Sequence, residues 1–194
     1  MTAADSHAQA AQLPQGDVIA ILLEQHARIQ QLFAEITSAH GDYKQHAFDE
    51  LRALLAVHET AEEMVLRPVS RKTAGEAVAQ ARNDEENQAT HVLAELEKMD
   101  VQSAEFDRMF ATFQQSVTSH ATHEETEEFP SVISGRDDKE RARMGSALRA
   151  AEKSAPTHPH PTAAGSTTAQ YVVGPFASLV DRVRDAIKGG TSSD

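Results

Sequence analysis

Cysteine is absent from the 194-residue chain, which rules out disulfides, thiolate metal sites and thiol redox chemistry. Any metal must therefore sit on nitrogen and oxygen donors. Tryptophan is absent too, aromatics make up 5% of the residues, and glycine and proline number nine and seven. Strand formers and turn formers are thus scarce, while Ala, Leu, Glu, Gln and Arg are abundant, and an all-α protein is expected. Long apolar runs are also missing. The longest, "VIAILL" (Val18 to Leu23), is far short of the ~20 residues that span a bilayer. No basic start of a signal peptide opens the chain, so a cytoplasmic location is expected. Positive charge is in deficit, with a formal net charge of -12. Residues 1–134 hold 9 Lys and Arg against 23 Asp and Glu, and residues 135–194 hold 9 against 7. Such a balance repels phosphate backbones and anionic lipid, so neither nucleic acid nor membrane is an expected partner. It suits a cation.

Residues 1–16, rich in Ala, Gln and Ser and without a sustained period, read as a mobile tail. From Asp17, a plausible N-cap, the pattern changes. Ile19, Leu22, His26, Ile29, Phe33 and Ile36 follow the alternating three- and four-residue steps of a helix face. Gly41 interrupts it. A second stripe then runs through Phe48, Leu51, Leu55, His58, Glu62 and Val65, closed by Pro68 and the "RKTAG" segment. A third helix over about 76–99 rests on Ala89, Leu93 and Leu96. A fourth starts near Ser103, carries Phe106, Phe110, Phe113, Val117, His120 and Glu124, and is expected to end at Pro130. Four helices with short connections predict an up-down-up-down antiparallel four-helix bundle over residues 17–134. Beyond it the reading is an additional helix over 135–153, a Pro, Thr and Ser-rich linker over 154–170 containing His158 and His160, and an amphipathic helix over 171–190.

Three of the four stripes are interrupted by polar residues where the core should be: His26 in the first, His58 with Glu62 in the second, His120 with Glu124 in the fourth. Burying carboxylates is costly unless they are paired or hold a cation. Each His and Glu pair is spaced i, i+4, which puts both side chains on one helix face about 6 Å apart along the axis. The levels agree as well. His26 lies 16 residues before Asp42 and His58 lies 16 after it, so in an antiparallel hairpin the two share a layer. On the third helix, Glu86 and His91 compete: imidazole is the better ligand chemically, but counting from the turn near Val101 puts Glu86 about 6 Å and His91 about 14 Å from the level of His120. Of the remaining polar residues, His40 and His46 read as helix-end residues and His123 as an outer or surface residue. Glu59, Glu63, Glu125 and Glu128 read as surface charges, although Glu59 or Glu125 reaches the layer if the helices rotate. Glu127 belongs near the mouth of the bundle.

A His in the first helix, "HETAE" (His58 to Glu62) in the second and "HATHE" (His120 to Glu124) followed by "EEFP" in the fourth resemble the hemerythrin-like HHE cation-binding domain. The match covers about residues 17–133, and the tail is similar to the C-terminal extensions of actinobacterial members. The resemblance implies a pair of non-haem iron ions inside the bundle, bridged by the two HxxxE carboxylates and an oxo or hydroxo group, with histidines as terminal ligands. By that carry-over His26, His58, Glu62, His120 and Glu124 are ligands. The third helix departs from the HxxxH of the family's oxygen carriers, offering Glu86, Asn87, Thr90 and His91 instead. More carboxylate character shifts the expectation from reversible oxygen carriage toward reduction of oxygen or peroxide, with nitric oxide a further candidate ligand. A His and Glu donor set without Cys suits iron, with manganese and zinc as alternatives. The competing expectation is a non-enzymatic iron-binding or redox-sensing protein, in which metal occupancy changes what the C-terminal helix contacts.

Overall fold

The structure, a computed structural model, describes residues 2–153. The expected linker with His158 and His160 and the expected C-terminal helix lie outside the described residues. Four long helices form the bundle: α2 (Val18–Ser38); α3 (Gly41–Ala61), which runs through a π-helical turn (Glu62–Leu66) into α4 (Arg67–Thr73); α5 (Glu76–Leu96); and α6 (Ala104–His123), which runs through a second π-helical turn (Glu124–Glu128) into α7 (Phe129–Gly135). Their ends follow from local chemistry. Asp17 caps α2 by accepting from the Ile19 N–H at 2.9 Å, and Ser103 caps α6 by accepting from the Phe106 N–H at 3.1 Å. Gly75, with φ of 102°, makes the reversal between α4 and α5 in a region that favours glycine.

Two further helices flank the bundle. α1 (Ala3–Ala10) replaces the mobile tail expected over residues 1–16. It is closed by a reciprocal cap between Thr2 and Asp5 and buries Ser6 and Ala10 against its neighbours. Its small residues form no apolar stripe, so what holds it is contact with α2, which periodicity does not register. α8 (Asp138–Glu152) packs against α2 and α3 through Met144, Ala147, Leu148 and Ala151. Its Arg141 clamps the cap of α2, donating from Nε to Asp17 at 2.6 Å. Among the described residues no helix is long and apolar enough to cross a membrane.

Pro130 does not end the fourth helix, contrary to the sequence expectation. Proline lacks the N–H for an i→i−4 bond and crowds the carbonyl four residues back. Here the residue before each proline bonds five residues back instead, Arg67 N–H to Glu62 C=O and Phe129 N–H to Glu124 C=O. The helix widens by one residue and continues past Pro68 and Pro130. The two segments match: "HETAEEMVLRP" (58–68) and "HATHEETEEFP" (120–130) both read His, three residues, Glu-Glu, four residues, Pro.

The core is divided. One apolar cluster gathers Ile19, Leu22, Val65, Leu66, Val132 and Leu148 at the α8 end, and another gathers Phe33, Phe48, Leu51, Phe106, Phe110 and Phe113 at the opposite end. On α2 the first cluster stops at Leu23 and the second starts at Ile29, with buried His26 between them. His58 and Glu62 on the second long helix, and His120 and Glu124 on the fourth, fall in the same gap. A polar layer therefore crosses the bundle between two apolar plugs.

A candidate metal centre

The polar layer holds two groups of donors. His26, His58, Glu62 and Glu124 form the first, and Glu62, Glu86, His120 and Glu124 the second; within each group the donor atoms lie within 4.8 Å of one another. The structure thus brings together all six residues favoured in the sequence, with Glu62 and Glu124 common to both groups. His91 is left out. It is exposed on α5, its Nδ1 bonded to the Asn87 carbonyl at 2.7 Å. The antiparallel level counted for Glu86 agrees with its place in the second group.

The histidines are held from behind. His26 Nδ1 donates to Glu125 at 2.8 Å, His58 Nδ1 to Gln25 at 2.7 Å and His120 Nδ1 to Glu85 at 2.9 Å. Each acceptor is an oxygen, so in the neutral ring the proton sits on Nδ1 and Nε2 turns its lone pair to the middle of the layer. Gln25 in turn donates to Glu152 on α8, and Glu125 accepts from Ser6 of α1 at 3.0 Å. Both flanking helices therefore reach the site through one intervening side chain. His123 stays at the rim, 39% exposed, donating to Glu85 at 2.9 Å.

Three residues read as surface charges are in fact interior. Glu63 is 2% exposed, Glu125 6% and Glu128 0%. Glu63 and Glu125 sit in the two π-helical turns directly after Glu62 and Glu124, Glu125 is covered by Ser6 of α1, and Glu128, four residues after Glu124, shares its helix face. Arg67 was not legible as part of the site at all. It is fully buried, and its guanidinium contacts Glu86, Glu124 at 3.3 Å and both oxygens of Glu128 at 2.6 and 2.8 Å.

Crowding of charge shifts the titrating groups. Burial and the neighbouring His26 charge push His58 down to about 3. Burial also opposes charge on His26 and His120, but the Glu124 carboxylate outweighs it, with Glu125 adding to the effect on His26, and both histidines are raised. Burial drives Glu86 up to about 7 despite Arg67 and His120, and burial with the Glu124 charge raises Glu62 well above the carboxylate range. Glu124 goes the other way: burial would raise it, but His120, His26 and Arg67 hold it well below that range.

A cation fits these residues. Among the described residues, His26 Nε2, both oxygens of Glu62 and Oε2 of Glu124 are buried without a hydrogen-bond partner. Buried polar atoms are seldom left so, and here three of the four are on Glu62 and Glu124, the residues common to both donor groups. Beside the layer, toward the Phe cluster, lies a cavity of about 20 Å³, room for one water-sized molecule. Its walls include His26, His58, Glu86 and His120 on one side and Ile29, Phe33, Leu55 and Val117 on the other.

Comparison with known proteins agrees with this geometry. The model of the hemerythrin HHE cation binding domain matches residues 17–132. An uncharacterized hemerythrin-like protein of Schizosaccharomyces pombe is 25% identical over 171 residues, covering 86% of this chain and 84% of that protein. The crystal structure of a hemerythrin HHE cation binding domain-containing protein from Mycobacterium kansasii superposes with a TM-score of 0.64 at 21% identity, covering 85% of this chain and 98% of that one, which shows a shared fold. With well over half of its length matched by the family model, the chain belongs to the hemerythrin HHE cation-binding domain family.

Proposed function

We propose that this is a non-haem di-iron protein that binds or reduces a small oxidant (oxygen, peroxide or nitric oxide) in the core of the bundle. The observation that carries the reading is the set of buried donor atoms without partners beside a cavity of small-molecule size. In this reading His26, His58, Glu62, Glu86, His120 and Glu124 are the ligands, and Glu62 and Glu124, common to both groups, span the two positions. When bound, iron supplies the electrons that none of these side chains carries. The chain supplies the rest. Gln25, Glu85 and Glu125 fix the imidazole rings, the apolar walls restrict the cavity to small uncharged or weakly charged molecules, and the acidic surroundings favour a cation. A cytoplasmic setting is part of the same proposal.

Metal content and turnover test it. Purified protein is expected to hold two irons per chain by elemental analysis, and to show a visible absorption band that changes when peroxide or nitric oxide is added, with peroxide consumed catalytically. One weakly held metal without turnover would instead favour an iron-binding or sensing role. Within the same experiment, Glu86→Ala is expected to lose one metal per chain and His91→Ala none. Full retention by the Glu86 variant would remove α5 from the site.

Metal binding should also release protons. Glu86, raised to about 7 by burial, is in part protonated near neutral pH, and a cation bound there must displace that proton. Competition strengthens as pH falls, so affinity should drop about tenfold per pH unit for each proton displaced as pH falls below 7. Calorimetric titrations in two buffers of different ionisation enthalpy count the protons released. Identical heats in both would contradict the assignment.

A further inference from the structure

The two donor groups are not equivalent, and the difference lies in one residue. Of the buried donor atoms without partners, His26 Nε2 belongs to the first group alone and those of Glu62 and Glu124 are common to both; Glu86 and His120, the members peculiar to the second group, contribute none. In the second, Glu124 turns Oε1 toward His120 Nε2 at 3.3 Å, and the same oxygen is 3.3 Å from Nη2 of Arg67, which also contacts Glu86 Oε1. Through Nη1 the guanidinium is anchored on both oxygens of Glu128, itself fully buried. The matched segments 58–68 and 120–130 expose the asymmetry. At the residue before proline, one carries Arg67, set against the second group, and the other Phe129, whose ring stacks on His26 of the first group with centroids 5.6 Å apart. One position is covered by an aromatic face. The other contains a permanent cation.

We propose that Arg67 is an internal counter-cation that occupies the second metal position and makes loading sequential. The inference rests on the reading of this layer as a metal centre. The first metal enters among His26, His58, Glu62 and Glu124, where His26 Nε2, both oxygens of Glu62 and Oε2 of Glu124 have no hydrogen bond to Arg67, whose Nη2 comes no nearer to Glu62 than 3.8 Å. The second must displace Nη2 of Arg67 from Glu86 and Glu124, while Nη1 keeps the side chain tethered to Glu128. A guanidinium does not lose its proton near neutral pH, so it relieves the repulsion only by moving. The chain therefore has a stable one-metal form with its carboxylates already neutralised in part, and its second metal binds more weakly than the first.

Anaerobic titration with Fe(II), followed by calorimetry, and with Co(II), followed by its visible absorption, tests this. The wild-type chain is expected to show two events of distinct affinity. The double substitution Arg67→Gln with Glu128→Gln removes one charge of each sign, so neither partner is stranded in the interior. It is expected to strengthen the second event by about tenfold or more while leaving the first within a few fold. That result separates Arg67 from the plain difference in histidine number between the two groups, which the variant does not alter. Two wild-type events of equal affinity, or a second event unchanged or weakened in the double variant, would overturn the role of Arg67 while leaving the metal centre standing. Absence of any metal binding in the wild type would remove both.

Discussion

Replacing Glu124 with alanine is expected to strip the chain of nearly all bound metal, whereas His123→Ala, one residue earlier, should leave metal content almost unchanged. Glu124 is, with Glu62, one of the two residues common to both donor groups, and it faces a histidine of each: it is fully buried, with Oε2 3.3 Å from His26 Nε2 and Oε1 3.3 Å from His120 Nε2. Its carboxyl is held well below the usual range by His120, His26 and Arg67, against the opposing effect of burial. It is thus ionised before a cation arrives. Losing an outer partner of a metal site costs about 10- to 100-fold in affinity, and losing a ligand common to two positions should exceed that. His123 only donates to Glu85 from the rim, and Glu85 retains its bond to His120 when His123 is gone. Elemental analysis after desalting gives the answer. Two metals retained by the Glu124 variant, or equal losses in both, would place the centre elsewhere.

The layer was legible because it broke a rule. A helix stripe that should be apolar carried His26, His58, Glu62, His120 and Glu124 at matching levels, and the bundle puts those levels between two apolar clusters. Turn counting also selected Glu86 over His91. What escaped was the charged interior around the two π-helical turns. Glu63, Glu125 and Arg67 lie off the stripes, so nothing in a three- and four-residue period marks them as interior, whereas Glu128, four residues after Glu124, continues the stripe of the fourth helix and its burial was signalled. A signal was present nonetheless: Pro68 and Pro130 each stand six residues after a ligand candidate inside a continuing helical pattern, and a proline there requires the local rearrangement that the widened turn supplies. α1 escaped for another reason. Its alanines and Ser6 bury little apolar area, and its part in the site is a single hydrogen bond from Ser6 to Glu125.

Gly145→Ala should be the most damaging small substitution outside the layer, and its sign is diagnostic. At an open position inside a helix, replacing glycine by alanine stabilises by about 1 kcal/mol. At Gly145 a Cβ would stand 2.1 Å from the carbonyl oxygen of Gly16 and 3.1 Å from Ile21 Cδ1. The first is backbone at a residue whose φ of 82° favours glycine, and it adjoins Asp17, which caps α2 and binds Arg141. Ile21 can shift its terminal methyl, but the Gly16 backbone does not yield easily, so α8 must move away, and a loss of about 3 kcal/mol is expected, the upper end for overpacking. For a domain of this size that lowers Tm by about 6–12 °C. The consequence extends to the metal centre, because α8 carries Glu152, which holds Gln25, which holds the His58 ring. Metal affinity should fall by about tenfold with the lost orientation. Ser146→Ala, on the exposed side of the same helix with only a bond to the Ala142 carbonyl to lose, should change neither quantity. Thermal melts and metal titrations of the two variants separate the effects. A Gly145 variant more stable than wild type would mean that α8 does not approach α2 this closely, and the link from α8 to His58 would go with it.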